Sequence, residues 1–325
     1  MFMSRKPPTR SNLRLVYGTL VRRMATVKAA IPHIERTAAE PRHNRLHRIV
    51  LSQITQVNST IRLLRLSPVD KEPIRFQPGQ WVDLHIPTIY SPGGFTLTCT
   101  PSTPHLELAV QKPQASAHDK PAFPASWLWQ PACRIINSEL AVRVGGGFVW
   151  PPANVPEAGI RRVVFVAGGV GINPLISMLG SIAEAEEHSR GGAGGRGFDV
   201  RFLYSVRALQ GAGGASEEIL FLDRLRRLLA RLGGEGELRL FVTGAGAGEA
   251  AAAAAAAAEE AQGFTVEQRR IRKSDLEDAL GSSASERAGT VCYVCGVPRM
   301  TDEFVHLATR VEGMDESRVL SEKWW

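Results

Sequence analysis

The stretch that most limits what this chain can fold into runs from Arg162 to Met178, Arg-Val-Val-Phe-Val-Ala-Gly-Gly-Val-Gly-Ile-Asn-Pro-Leu-Ile-Ser-Met. Val163–Ala167 is the unbroken apolar run that a strand buried on both faces requires. Gly168, Gly169 and Gly171 follow at once, and Pro174 opens an apolar helical pattern through Leu175, Ile176, Met178 and Leu179. A strand, a glycine turn and a helix start let backbone amides approach a pyrophosphate and offer it the positive end of a helix. Proline suits the first helical turn, where an N–H is spare and its fixed φ is already helical. Glycine turns also mark ordinary strand-to-helix loops, so further segments must decide between the two.

Pro174 stands where a Rossmann fingerprint has its third glycine. The form Gly-Gly-x-Gly-x-x-Pro instead resembles the NAD(P)-binding half of the ferredoxin–NADP reductase family. The segment Val291–Met300, with Cys295-Gly296-Val297-Pro298, resembles that family's strand ending in Cys-Gly-x-Pro. Glu322-Lys323-Trp324-Trp325 resembles its Glu-x-aromatic ending. The likeness runs from about residue 44 to residue 325, and the chain resembles the subgroup of small mitochondrial oxidoreductase NAD-binding-domain proteins.

The net charge of +7 first suggests a nucleic-acid partner. Residues 1–34, however, hold seven of the 39 basic side chains and no acid, which leaves a body with 32 of each sign. A phosphate-binding surface is therefore not required, and no nucleic-acid partner is expected. The arginine-rich, acid-free start reads as a mitochondrial presequence over residues 1–40, which points to the matrix; a disordered basic tail is the alternative. No apolar stretch approaches the ~20 residues that span a bilayer. Cys292 and Cys295 lie an odd number of residues apart on a strand, so they face opposite sides, and no second pair exists to complete a zinc or iron–sulfur site; no metal is expected.

Residues 44–156 show short strand-like segments at 47–55, 60–66, 80–86, 94–100, 106–111 and 140–144, with turns at Pro78-Gly79, Pro92-Gly93-Gly94 and Pro101 and one short helix at 125–130. This pattern predicts a small antiparallel β-barrel. Residues 160–325 alternate strands at 162–167, 199–204, 238–243 and 290–294 with helices at 174–186, 217–231, 274–280 and 299–311, which predicts a doubly wound parallel α/β domain. Low-complexity Gly and Ala insertions near 189–214 and 244–262 are expected to lie outside the core, as loops or an exposed helix.

The resemblance implies an FAD-binding barrel followed by an NAD(P)-binding domain. Hydride would pass between a small-molecule nicotinamide and FAD, and electrons would go on to a separate acceptor. The family's Arg-x-Tyr-(Ser/Thr)-x-x-(Ser/Thr) flavin motif corresponds to Gly93-Gly94-Phe95-Thr96-Leu97-Thr98-Cys99. Phe95 keeps an aromatic face and Thr96 a hydroxyl, with Thr98 and Cys99 at the far end. The pyrophosphate-pairing arginine is absent, which removes a charge-assisted contact worth about 1.5–3 kcal/mol. Ser126 stands where the family has a hydroxyl at the start of a short helix facing the pyrophosphate; it reads equally as a helix cap. Gly168, Gly169, Gly171, Asn173 and Pro174 would line the nucleotide, with Gly296 beside them. Cys295 would put a polarizable thiol near the nicotinamide, or be a buried strand cysteine. Glu322 would be a charged or proton-relaying group near the flavin, and Trp324 or Trp325 would cover the flavin face. Arg207, two residues after Ser205, suits the 2′-phosphate of NADPH and reads equally as a surface charge. The competing reading is a non-catalytic nicotinamide-binding module of the same fold.

Overall fold

A computed structural model describes residues 32–113, 123–190, 199–209, 217–232, 236–244, 247–256 and 263–323. After a one-turn helix α1 (His33–Arg36), the first half is built from β1 (His47–Asn58), β2 (Ile61–Pro68), β3 (Trp81–His85), β4 (Gly93–Thr96), β5 (Leu106–Gln111), the short helices α2 (Pro124–Leu128) and α3 (Ala132–Ile135), and β6 (Glu139–Gly145). The six strands form one antiparallel sheet in the order β4-β3-β6-β1-β2-β5. A bridge between Leu97, just past β4, and Leu108 in β5 joins the two edges and closes the sheet into a barrel. Closure follows from the sequence: Leu64, Leu66, Val82, Leu84, Leu106, Leu108, Val142 and Val144 alternate along their strands and meet inside as one apolar core.

The second half contains β7 (Arg162–Gly168), α4 (Ile172–Arg190), β8 (Asp199–Arg207), α5 (Leu222–Ala230), β9 (Gly236–Thr243), α6 (Ala247–Ala256), β10 (Phe264–Glu267), α7 (Lys273–Leu280), α8 (Ala284–Ala288), β11 (Thr290–Gly296), α9 (Pro298–Ala308) and β12 (Val319–Lys323). All its strands are parallel, in the order β10-β9-β8-β7-β11-β12. Val163–Ala167 are fully buried, as the apolar run requires. One face of the sheet packs against α4, α5 and α6, the other against α7 and α9.

The antiparallel barrel and the doubly wound sheet are the fold that the sequence pattern predicts, with differences at the edges. β10 and β12 are four- and five-residue edge strands that the periodicity does not announce. The helix expected over 217–231 begins only at Leu222, because Phe221 adopts a left-handed φ of 59°. The alanine run is corrected more substantially. Residues 247–256 form α6, and Ala250, Ala251 and Ala254 lie in the core cluster beneath it. Alanine at these spacings gives a smooth stripe on which the helix sits close to the sheet, so this part of the insertion is core. Residues 191–198, 210–216 and 257–262 lie outside the described residues. Of the leader expected over residues 1–40, residues 33–40 pack on the barrel, as set out below, and residues 1–31 lie outside the described residues.

Candidate functional site

The chain order within the parallel sheet turns back between β7 and β11. In such sheets the crevice beyond the carboxyl ends of the strands at this switch point is where ligands bind. Gly168 ends β7 and Gly296 ends β11, with Ala167 in register beside Cys295. The three glycines of the intervening turn play different parts. A Cβ on Gly171 would overlap the Cys295 carbonyl, and one on Gly168 would overlap the Met300 sulfur, so Gly171 lets the loop lie close on β11 and Gly168 makes room for Met300 of α9. Gly169 has φ +55° and nothing within 4 Å of where its Cβ would stand. It is an open, left-handed turn position of the kind a phosphate approaches.

Helix α4 begins directly after this turn, with Asn173 and Pro174 in its first turn. Asn173 is 3% exposed, and its Nδ2 donates to the Ala109 carbonyl of β5 at 3.0 Å, while its Oδ1 has no hydrogen-bond partner among the described residues. One end of this side chain therefore ties the parallel domain to the barrel. Ser177, one turn on, donates to the Cys99 carbonyl at 2.5 Å, and Tyr293 donates to the Val149 carbonyl at 2.9 Å. Thr100 and Ser102 donate to Glu184, and Arg224 bridges the Glu107 carboxylate and the Thr98 carbonyl. The seam below the crevice is thus a buried hydrogen-bonded joint.

Cys295 is fully buried and faces the α4 side with Val291 and Tyr293, whereas Cys292 faces the α9 side; burial pushes the Cys292 thiol up to about 12. Glu322 of β12 lies in register beside Cys295. The residue is half-buried, but its Oε2 is buried without a hydrogen-bond partner among the described residues. Burial first, and the negative charge of Glu40 second, push its carboxyl up to about 8. At neutral pH it therefore holds its proton.

The barrel side of the site departs from the expectation. Thr96 is 1% exposed, and its hydroxyl has no hydrogen-bond partner among the described residues. Phe95 is half-buried and packs against the barrel core. Thr98 and Cys99 are committed within the barrel. The Thr98 hydroxyl donates to Glu107 at 2.7 Å, and the Cys99 side chain packs in the barrel core, where burial raises its pKa. Ser126 is not a cap: α2 starts at Pro124 after Phe123, so Ser126 is its third residue. Arg207 ends β8 as an exposed residue, three strands from Glu322 across the same rim of the sheet. Trp324 and Trp325 lie outside the described residues.

A clasp of residues 33–43 crosses the outer surface of β4, β3 and β6. Its anchor is Asp83 in β3, whose side chain has no exposed surface. His33 Nε2 lies 3.1 Å from one carboxylate oxygen; Arg42 Nε and Arg143 Nη2 lie 3.0 and 2.8 Å from the other. Burial alone would raise this carboxyl, but the three partners outweigh it and hold it at about 2. His33 sits where a Cβ on Gly94 would project, and its ring stands edge-on to Trp81 at 4.7 Å. Beyond Arg42 the clasp pairs with β6, as His43 N–H donates to the Val144 carbonyl. Glu40 then accepts the Gly147 N–H at 3.0 Å, just past β6. The sequence reading missed Asp83 and Glu40. A carboxylate between the apolar Val82 and Leu84 of a strand was the available signal for Asp83; Glu40 carries none.

Residues 165–306 match the family model of the oxidoreductase NAD-binding domain. Two solved structures share the fold. The Flavohem-like FAD/NAD binding domain of nitric oxide dioxygenase from Vibrio cholerae superposes with a TM-score of 0.57 at 16% identity, covering 86% of this chain and 98% of that one. Ferredoxin-NADP+ reductase from Plasmodium falciparum superposes at 0.58 and 13% identity, covering 86% and 96%. Barrel, sheet and crevice thus define a ferredoxin reductase-like oxidoreductase fold. Over 311 residues the chain is 30% identical to oxidoreductase NAD-binding domain-containing protein 1 of Xenopus laevis, covering 94% of this chain and 88% of the relative. The chain belongs to that family.

Proposed function

We propose that this protein transfers hydride between NAD(P)H and a flavin ring held at the seam between barrel and parallel sheet, and that a separate acceptor takes the electrons. The observation that carries this reading is the open left-handed Gly169 at the switch point, with Cys295, Gly296 and Glu322 beside it on the same rim. Gly169 and the start of α4 suit a nucleotide pyrophosphate. The unpartnered Thr96 hydroxyl and Glu322 carboxyl suit the polar edge of a flavin ring. The position of the family's pyrophosphate arginine, Gly93, does not suit FAD's tail.

A bound flavin supplies a two-electron acceptor for hydride. The chain's own contribution is position and proton supply. Gly171 brings the loop against β11, Gly168 makes room for Met300 of α9, and together they fix the nicotinamide approach. Cys295 presents its small thiol without exposing the strand to water. Glu322 Oε2 holds a proton at neutral pH and can release it toward the ring. Arg207 supports NADPH as donor through a 2′-phosphate. The basic stretch of residues 1–34 supports a mitochondrial location, which subcellular fractionation of the tagged chain tests.

The test is anaerobic mixing of the purified full chain with a flavin and either NADH or NADPH. Bleaching of the flavin band is expected, slowed by Cys295→Ala. A protein that binds nicotinamide but bleaches no flavin overturns this reading in favour of the non-catalytic module, which Gly93 favours.

A further inference from the structure

Riboflavin, FMN and FAD share one ring system and differ in their tails. The candidate site treats ring and tail differently. The two residues read above as facing the ring edge, Thr96 and Glu322, each carry a buried oxygen, Oγ1 and Oε2, with no hydrogen-bond partner among the described residues. Buried polar atoms left open in this way are costly unless something completes them. On the tail side, the space is filled. A Cβ on Gly93 would lie 2.7 Å from Phe95 Cε2 and 2.7 Å from Pro124 Cβ. No arginine can stand there unless both move. Helix α2 offers little instead: it has five residues, its first is a proline without an N–H, and no side chain caps it. At its far end Arg62 is committed to the carbonyls of Leu128 and Gln130 and lies 4.5 Å over the Trp129 ring.

We propose that this chain takes its flavin as an exchangeable co-substrate recognised by the ring alone, so that riboflavin, FMN and FAD serve about equally and none is held as a resident group. The proposal rests on the hydride-transfer reading above and names its substrate class. The balance closes with the partners already named. One NAD(P)H loses a C–H bond and becomes NAD(P)+, passing two electrons and one hydrogen to the ring. A proton from the Glu322 carboxyl completes the dihydroflavin and is replaced from solvent. The dihydroflavin leaves and carries both electrons to the separate acceptor.

The experiment is equilibrium binding of riboflavin, FMN and FAD to the full chain, read by quenching of flavin fluorescence. The three Kd values are expected within about threefold of one another, and gel filtration should strip all three. An FAD Kd tighter than that of riboflavin by about ten- to a hundredfold, the worth of a charge-assisted contact, overturns the proposal. Thr96→Val should weaken all three flavins alike and leave the nicotinamide Kd unchanged; unaltered flavin affinities overturn recognition at the ring edge. If no flavin binds while nicotinamide does, the hydride-transfer reading fails as well. FAD bound selectively and reduced leaves that reading standing and removes only the exchangeable flavin.

Discussion

Glu322 gives the site a built-in pH dependence. Its carboxyl stands at about 8 against a usual value of 4.5, so the folded protein holds a proton that the unfolded chain has released. Flavin reduction should fall as pH rises through about 8, and Glu322→Gln should flatten that limb. The same group makes stability decline between pH 4.5 and about 8, because over that window the native state binds more protons than the unfolded one. Glu322→Gln should remove this slope from denaturation midpoints measured across the window. The turn glycines separate by role. Gly171→Ala forces a methyl into the Cys295 carbonyl and should cost about 3 kcal/mol by thermal or urea unfolding. Gly169→Ala meets only the left-handed penalty of about 1–2 kcal/mol, and should act chiefly on nicotinamide affinity. The glycine turn was legible because spacing and residue type carry its meaning. The division of labour within it was not, since it depends on which glycine faces β11 and which faces open space.

Among the elements, the clasp was the least visible in sequence. Residues 33–43 contain no apolar period, and a basic, proline-containing lead-in reads as something to be discarded. What makes it structure is a remote carboxylate, Asp83, placed by the alternation of β3 on the barrel's outer surface. Asp83→Asn should cost about 3 kcal/mol, because Arg42 and Arg143 lose their shared counter-charge. It should also open residues 33–43 to protease, read by mass spectrometry of the first cleavage. With its carboxyl held at about 2, Asp83 contributes its stability above the ordinary carboxylate range and loses it as pH falls toward 2. The strands of the barrel and β7, β8, β9 and β11 were legible from alternation or from unbroken apolar runs. β10 and β12 were not, because short edge strands with one wet face have too few residues to show a period. The buried stripe of α6 hid behind low complexity, where every alanine looks alike until a neighbour selects one face.

At the scale of the whole molecule, the described residues from Pro32 onward form one compact unit. Thermal unfolding of the wild-type chain should follow a single transition in both near- and far-UV circular dichroism. Weakening the joint with Asn173→Ala and Ser177→Ala together should loosen the barrel from the parallel sheet and lower and broaden that transition, because each bond's barrel-side carbonyl is then left buried without its donor. The joint has a further consequence for how such a protein can diverge. Asn173, Ser177 and Tyr293 reach out from the parallel sheet, and what they grip on the barrel side is main chain: the carbonyls of Ala109, Cys99 and Val149. Every amino acid supplies that carbonyl. At those three positions the barrel is therefore free to change its side chains, within the limits of its own packing, while the three donors must stay as they are; Thr100, Ser102 and Glu107, which meet Glu184 and Arg224 through their side chains, have no such freedom.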